Sequence, residues 1–516
     1  MNTLGFTVPR IDETLIPYAI KSFKLYREKF IQSKMKTIMD VMGYTSEHEV
    51  YHNFKTKIEI EAEEEAMKEV RRDMEQGFQG LEIKLNTVAS SRGDYPFTTF
   101  TFGVSTDPFA TMAAEVCLEV RKNGQGAPGK KKSVLFPKLV FLYTENLHGE
   151  GKELEWLFEK AIDCSLKAMY PDFLSLDGDT VLSKMWHEYG EVISPMGCRA
   201  FLSPYWERGG FEPADKDDKP IFHGRFNIGA VSLNLIMILA KARQECKDFY
   251  EVLDEYLQLI REIHLMTREY LGNMRASTNP IAYCQGGFYQ GYLNPNDKIK
   301  PLLKYATASF GITALNELNR LYNGKSIRED GEFPLQVMEH INKRLKEFTK
   351  EDGMLYAVYG TPAESLCGTQ VKQFRAKYGI VENVSDREYV SNSFHCHVSE
   401  EMSGIEKQDK EFRFWELFKG GRIQYVKYDI NYNREAVVTY IRRAMRMGLY
   451  EGINFTLCYC DHCGHSFVGG ETCPKCGSTE QTRIERMNGY LSFSRVHGDT
   501  RLNDAKMAEI ADRKSM

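Results

Sequence analysis

Two Cys-x-x-Cys hooks stand near the carboxyl end of this 516-residue chain: Cys460-Asp461-His462-Cys463 and, after nine residues, Cys473-Pro474-Lys475-Cys476. Thiolates paired at this spacing can wrap one tetrahedral ion. A shell of four thiolates leaves no open position, so the chemistry it implies is structural. Each hook continues with glycine, Gly464 and Gly477, which accepts the angles of a tight knuckle and lets backbone N–H groups point at the sulfurs. Zinc is the expected metal. Iron in the same geometry is the competitor, and a redox dithiol pair is the bland alternative. His462 and His465 lie close enough to replace a thiolate, but the doubled spacing favours the four cysteines. Directly behind the knot comes Arg486-Met487-Asn488-Gly489-Tyr490-Leu491. A glycine beside such a clamp suggests that the clamp holds one main-chain carbon still; a plain turn glycine is the other reading.

Bulk properties narrow the classes. The net charge is -5, so no global basic field attracts nucleic acid. Apolar residues make up 42% and charged residues 27%, as in ordinary globular proteins. The segment Met1 to Arg10 lacks a charged-then-apolar signal pattern. The longest apolar run, around Ala230 to Ala240, is broken by Ser232 and Asn234 and is too short for a bilayer. These features predict a cytoplasmic protein with no membrane and no nucleic-acid partner. Twelve cysteines in such a chain argue against a disulfide framework. Most of those outside the knot are expected to be buried small hydrophobes.

The elements that must carry these residues read as α/β. Helical spacing predicts helices over Ile11 to Met39, Glu47 to Gln76, Met112 to Arg121, Trp156 to Tyr170, Phe226 to Ala240, Asp248 to Leu271 and Leu335 to Lys350. Thr98 to Phe102 and Val134 to Phe141 read as short buried strands. Asn433 is placed to cap a helix that runs to Met447, with Gly448 just past its end, and Asn503 to cap a last helix, Asp504 to Arg513. Strand, long helix, strand is the rhythm of an α/β fold.

The segment Arg486 to Leu491 behind four cysteines resembles the glycyl-radical loop of the anaerobic (class III) ribonucleoside-triphosphate reductases. Ser194-Pro195-Met196-Gly197-Cys198-Arg199 resembles that family's finger loop. Further resemblances follow in order: Asn86-Thr87, Ser91-Arg92-Gly93, Tyr95-Pro96-Phe97, Phe136-Pro137-Lys138, Gly224 to Leu235, Asn279-Pro280, Gly360 to Ser365 and Asn392-Ser393-Phe394-His395. The resemblance covers essentially the whole chain. It implies a glycyl-radical-enzyme type ten-stranded α/β barrel, incomplete at its amino-terminal strand, with a small zinc-binding appendage. It implies a radical on Gly489, installed by a separate S-adenosylmethionine/iron–sulfur activase, and a thiyl radical on Cys198. Ribonucleoside triphosphate is the implied substrate, with Asn227, Asn234 and Met196 as candidate contacts. Taken alone, either asparagine is more often a helix-surface or capping residue, and Met196 suits packing equally well. Glu364 follows Pro362 where a helix-start carboxylate is favourable, and no catalytic role is assigned to it.

The expected organisation is a catalytic barrel over 1–449, a zinc module over 450–482 and the radical loop with its terminal helix over 483–516. Relatives carry a longer amino-terminal region, so either a separate chain supplies that part or the gene product is truncated; the family's usual homodimer is expected. The alternatives are an inactive or split-subunit remnant of such an enzyme and a zinc-ribbon nucleic-acid-binding protein. Acidic net charge counts against the latter.

Overall fold

The computed structural model describes residues 5–42, 49–87, 97–427, 433–494 and 503–514. Ser91-Arg92-Gly93, Tyr95-Pro96 and Glu47 lie outside the described residues. The chain divides into two units, 1–173 and 174–516.

The first unit carries strands β1 (Gly5–Val8), β2 (Phe97–Phe102) and β3 (Lys138–Tyr143) and the start of β4 (Asp172–Ser175). They follow one another in that order, and β1, β2 and β3 pair in parallel with Gly5 opposite Phe97 and Thr99 opposite Lys138. Helices Pro108–Asn123 and Glu155–Ala168 return the chain between strands. Asp107 starts the first of them by accepting from Phe109 N at 2.8 Å. The strand expected over Val134 to Phe141 begins only at Lys138, because Pro137 has no N–H to give a ladder. Two buried charges are matched in this unit: Lys138 with Asp172 at 2.9 Å, and Arg121 with Glu82 at 2.7 Å. The two long helices of the sequence reading are Ile16–Met42 and Glu49–Thr87.

The second unit holds a three-stranded parallel sheet, β5 (Asn227–Ser232), β6 (Thr307–Ile312) and β7 (Leu355–Gly360), in that order. It also holds the parallel pair β8 (Gln424–Lys427) and β9 (Tyr450–Asn454). Parallel strands linked through helices make the α/β character plain. The helix expected over Phe226 to Ala240 is corrected: the first half is β5, and the helix is Leu235–Glu245. An apolar run alone does not separate a buried strand from a buried helix. The break falls where Asn234 Oδ1 accepts from Met237 N at 3.4 Å and opens the helix. The β6 strand runs close to its neighbours; a Cβ on Gly311 would fall 2.1 Å from Ser232 Oγ and 2.3 Å from Thr361 Oγ1.

The chain ends in an antiparallel sheet of β10 (Leu457–Cys460), β11 (Ser466–Val468), β12 (Gln481–Arg486) and β13 (Leu491–Phe493), ordered β11-β10-β12-β13. Helices Arg434–Arg446 and Asp504–Asp512 flank it in sequence, and each begins at the expected cap. Asn433 Oδ1 accepts from Ala436 N at 2.9 Å and Asn503 Oδ1 from Lys506 N at 2.8 Å. Among the described residues, no helix is long and apolar enough to cross a membrane.

Candidate active site

Cys198 sits at the tip of a tight hairpin. Met196 and Ala200 exchange both backbone hydrogen bonds, N–H to O at 2.7 and 3.2 Å, and Gly197 between them takes φ of +55°, a left-handed angle natural to glycine. The hairpin is stitched to the segment 420–422: Phe201 N donates to Gly420 O at 2.9 Å and Arg422 N to Arg199 O at 3.1 Å. That segment is stitched in turn to β7, through Gly420 N to Val358 O and Gly360 N to Gly421 O. A side chain at Gly421 would fall 2.2 Å from the Tyr359 ring, so only glycine lets three backbones approach this closely. Tyr450 Oη reaches the Cys198 carbonyl at 3.4 Å. Cys198 itself is buried.

Gly489 sits at the tip of a second hairpin, the turn between β12 and β13, closed by Met487 N to Tyr490 O at 2.9 Å. The two tips meet. A Cβ built on Gly489 would lie 2.0 Å from Cys198 Cβ and 2.6 Å from Cys198 Sγ. No side chain fits there without displacing the cysteine.

The terminal helix grips the glycine hairpin by its carbonyls. Arg513 donates from Nη1 to Arg486 O at 2.6 Å and from Nη2 to Met487 O at 2.8 Å, with Glu509 holding the guanidinium at 3.0 Å. Lys506 pairs with Glu509 and reaches Asn488 Oδ1 at 3.4 Å. Asn488 donates to Asn392 Oδ1 at 3.3 Å, and that same oxygen accepts from Ala363 N at 2.8 Å. Burial, then the Arg513 and Arg199 charges, pull the Lys506 ammonium down to about 7. These groups escaped the sequence reading. Asn392 lay in a quoted motif without a role, and nothing in the spacing of Lys506, Glu509 and Arg513 beyond one helix face distinguishes them from an ordinary salt-bridged helix.

The four hook cysteines converge, with all sulfurs within 4.8 Å of one another. Cys460 and Cys476 Sγ are 3.5 Å apart, and Cys463 and Cys473 Sγ 3.7 Å. Four sulfurs at about 2.3 Å from one ion are separated by roughly 3.8 Å, so the cluster fits a tetrahedral ion. Cys463 N points at Cys460 Sγ at 3.4 Å, and this N–H favours the Cys460 thiolate. Gly464 and Gly477 close the knuckles with φ of +73° and +72°. Cys458 stands apart, buried in β10 with its thiol pushed up to about 11 by burial. Strand β12 belongs to the knot's sheet at one end and carries the Gly489 turn at the other, so bracing the first braces the second.

The candidate substrate contacts are less closely gathered. Met196 is half-buried on the Cys198 hairpin. Asn227, on β5, donates to Ser309 Oγ at 2.7 Å and accepts from Gly229 N. Asn234 serves as the helix cap, with its amide turned toward Gln370 O and Gln373 Oε1 at 3.4 Å. Glu364 is buried.

The α/β fold that carries this pair of hairpins has solved counterparts. The chain is similar in fold to an anaerobic ribonucleotide reductase structure, with a TM-score of 0.61 over 95% of this chain and 76% of that one, at 17% identity, a likeness of fold alone. The family model for anaerobic ribonucleoside-triphosphate reductase matches residues 5–516, and the chain belongs to that family. It is 32% identical over 507 residues to the anaerobic ribonucleoside-triphosphate reductase of Haemophilus influenzae, covering 94% of this chain and 65% of that protein. It is 30% identical over 526 residues to the enzyme of the same name from Enterobacteria phage T4, covering 99% of this chain and 79% of that one.

Proposed function

We propose that this chain carries out the anaerobic reduction of ribonucleoside triphosphates to deoxyribonucleoside triphosphates through paired glycyl and thiyl radicals. The observation that carries the proposal is the contact between the Gly489 tip and the Cys198 tip. A radical on a glycine Cα is planar and shared with the flanking amides, and a Cβ would crowd that plane. Hydrogen-atom transfer requires the two atoms to meet.

In this reading a radical-S-adenosylmethionine activase removes one hydrogen atom from Gly489 Cα. The Gly489 radical takes the hydrogen atom of the Cys198 thiol. Cys198 sulfur, now a radical, takes the 3′ hydrogen of the ribose, and the 2′ hydroxyl leaves as water after protonation. An external reductant supplies two electrons and a proton completes the new C2′–H bond; the 3′ hydrogen is returned from Cys198, whose sulfur radical then takes hydrogen back from Gly489. Asn227, Met196 and Asn234 are proposed to line the ribonucleotide, Asn234 from its place at a helix start. Cys460, Cys463, Cys473 and Cys476 would hold a structural zinc, whose part is to stiffen the sheet behind the turn.

The proposal extends to the ten-stranded barrel of glycyl-radical enzymes as the setting of the parallel strands. Within it, 1–449 would form the catalytic part, 450–482 the zinc module and 483–516 the radical loop with its helix. A homodimer in the cytoplasm is the expected assembly.

The test is a Cys198→Ser variant, incubated anaerobically with a matching activase and reductant. It is expected to form the glycine-centred electron paramagnetic resonance (EPR) signal at wild-type yield while product formation drops to background. Retained nucleotide reduction would show that another thiol does the work.

A further inference from the structure

Two buried guanidinium groups share one aromatic ring beside the paired hairpins. Arg199 follows Cys198 directly, and Arg486 stands three residues before Gly489. Arg199 Cζ lies 5.5 Å and Arg486 Cζ 5.2 Å from the centroid of the Tyr425 ring. All three side chains have no solvent exposure. Tyr425 belongs to neither hairpin; it sits on β8, opposite Gly452 of β9.

The two arginines differ in what else holds them. Arg486 Nε donates to Ile453 O at 2.9 Å. Among the described residues, none of the three guanidinium nitrogens of Arg199 has a hydrogen-bond partner. A buried cation without acceptors is costly. The face of an aromatic ring is the compensation available to it, and such attraction is strongest where water is excluded. The main chain of Arg199 is meanwhile tied at its carbonyl to Arg422 N. The ring therefore anchors the residue next to the sulfur, and the same ring anchors the strand that leads to the glycine.

We propose that Tyr425 is a positioning residue for radical transfer. By holding Arg199 and Arg486 on one ring it keeps the Cys198 tip in register with the Gly489 tip. The proposal deepens the glycyl–thiyl reading and rests on it for its catalytic meaning. Transfer between two carbon and sulfur centres on separate hairpins is sensitive to displacements of about an ångström. A common reference on a third element limits such displacements.

The experiment reads the position of the hairpin first and catalysis second. Full-length, zinc-loaded, unactivated protein is alkylated with iodoacetamide under anaerobic conditions, and the labelled peptides are quantified by mass spectrometry. Tyr425→Phe keeps the ring and is expected to label Cys198 within about twofold of wild type. Tyr425→Leu is expected to label Cys198 about tenfold faster or more, while the buried thiols Cys164 and Cys458 stay within about twofold. Arg199→Met, which keeps the stem and removes the charge, is expected to expose Cys198 in the same selective way, and it decides the matter if Tyr425→Leu does not fold. In activated protein, Tyr425→Leu should keep the glycine-centred signal and the KM while kcat falls about tenfold or more, and Tyr425→Phe should restore it. Unchanged Cys198 labelling in both Tyr425→Leu and Arg199→Met would overturn the proposal. So would a rise shared equally with Cys164 and Cys458, which would mark general loosening. A wild-type protein that forms no glycine-centred signal would refute the radical reading instead, and the labelling would still decide whether the ring holds the hairpin.

Discussion

A methyl group at position 489 has nowhere to go. It would overlap Cys198 Cβ at 2.0 Å, so Gly489→Ala is expected to push the two hairpins apart and cost about 1–3 kcal/mol, read by denaturant unfolding. Its place behind the cysteine hooks was legible with a plain turn as the alternative; a functional part for it, and its contact with Cys198, 291 positions earlier, were reachable only through the resemblance. His395 offers a second test at the residue scale. It is buried, with Nδ1 at 2.9 Å from Glu411, and burial outweighs that carboxylate and lowers its pKa to about 4. The sign follows directly. The unfolded chain, with an ordinary histidine near 6.5, binds the proton first as pH falls, so the stability of the neutral buried ring is lost from about pH 7 downward. Wild type should lose about 1–2 kcal/mol more than His395→Gln between pH 7 and pH 5 in urea titrations; equal losses would contradict the assignment.

At the scale of elements, the terminal helix acts as a clamp on the glycine turn. Arg513→Ala removes both donors to the Arg486 and Met487 carbonyls and leaves Glu509 to Lys506 alone. It should destabilise the turn by about 1.5–3 kcal/mol, seen as faster hydrogen exchange at residues 487–490, with little change in the first unit. Asn433→Ala, a simple cap loss, should cost about 1 kcal/mol and leave that exchange untouched. Both caps were readable because Asn before a helical pattern has a local cause. Strand β5 was not, because its apolar run suits strand and helix alike and the decision is made by parallel pairing with β6, far away in sequence. The Arg513 clamp was invisible for the same reason: its partners are carbonyl groups, which every residue carries.

At the scale of the whole molecule, the four-cysteine knot, the sheet and the turn lie in one line. The first hook starts at the end of β10, β10 pairs with β12, and β12 ends at the Gly489 turn. Stripping the metal with a chelator should release one zinc per chain, open the segment 450–494 to proteolysis and block the glycine-centred radical. An unaffected radical yield in metal-free protein would break that line. The spacing of the hooks made the knot legible, since ligand geometry is local; the joining of knot to turn through one strand needed the sheet order. The most direct measurement is anaerobic electron paramagnetic resonance of the activated chain. Wild type is expected to give a doublet that is absent from Gly489→Ala, and air is expected to cleave the wild-type chain at residue 489. The same doublet in Gly489→Ala would rule out a radical on Gly489.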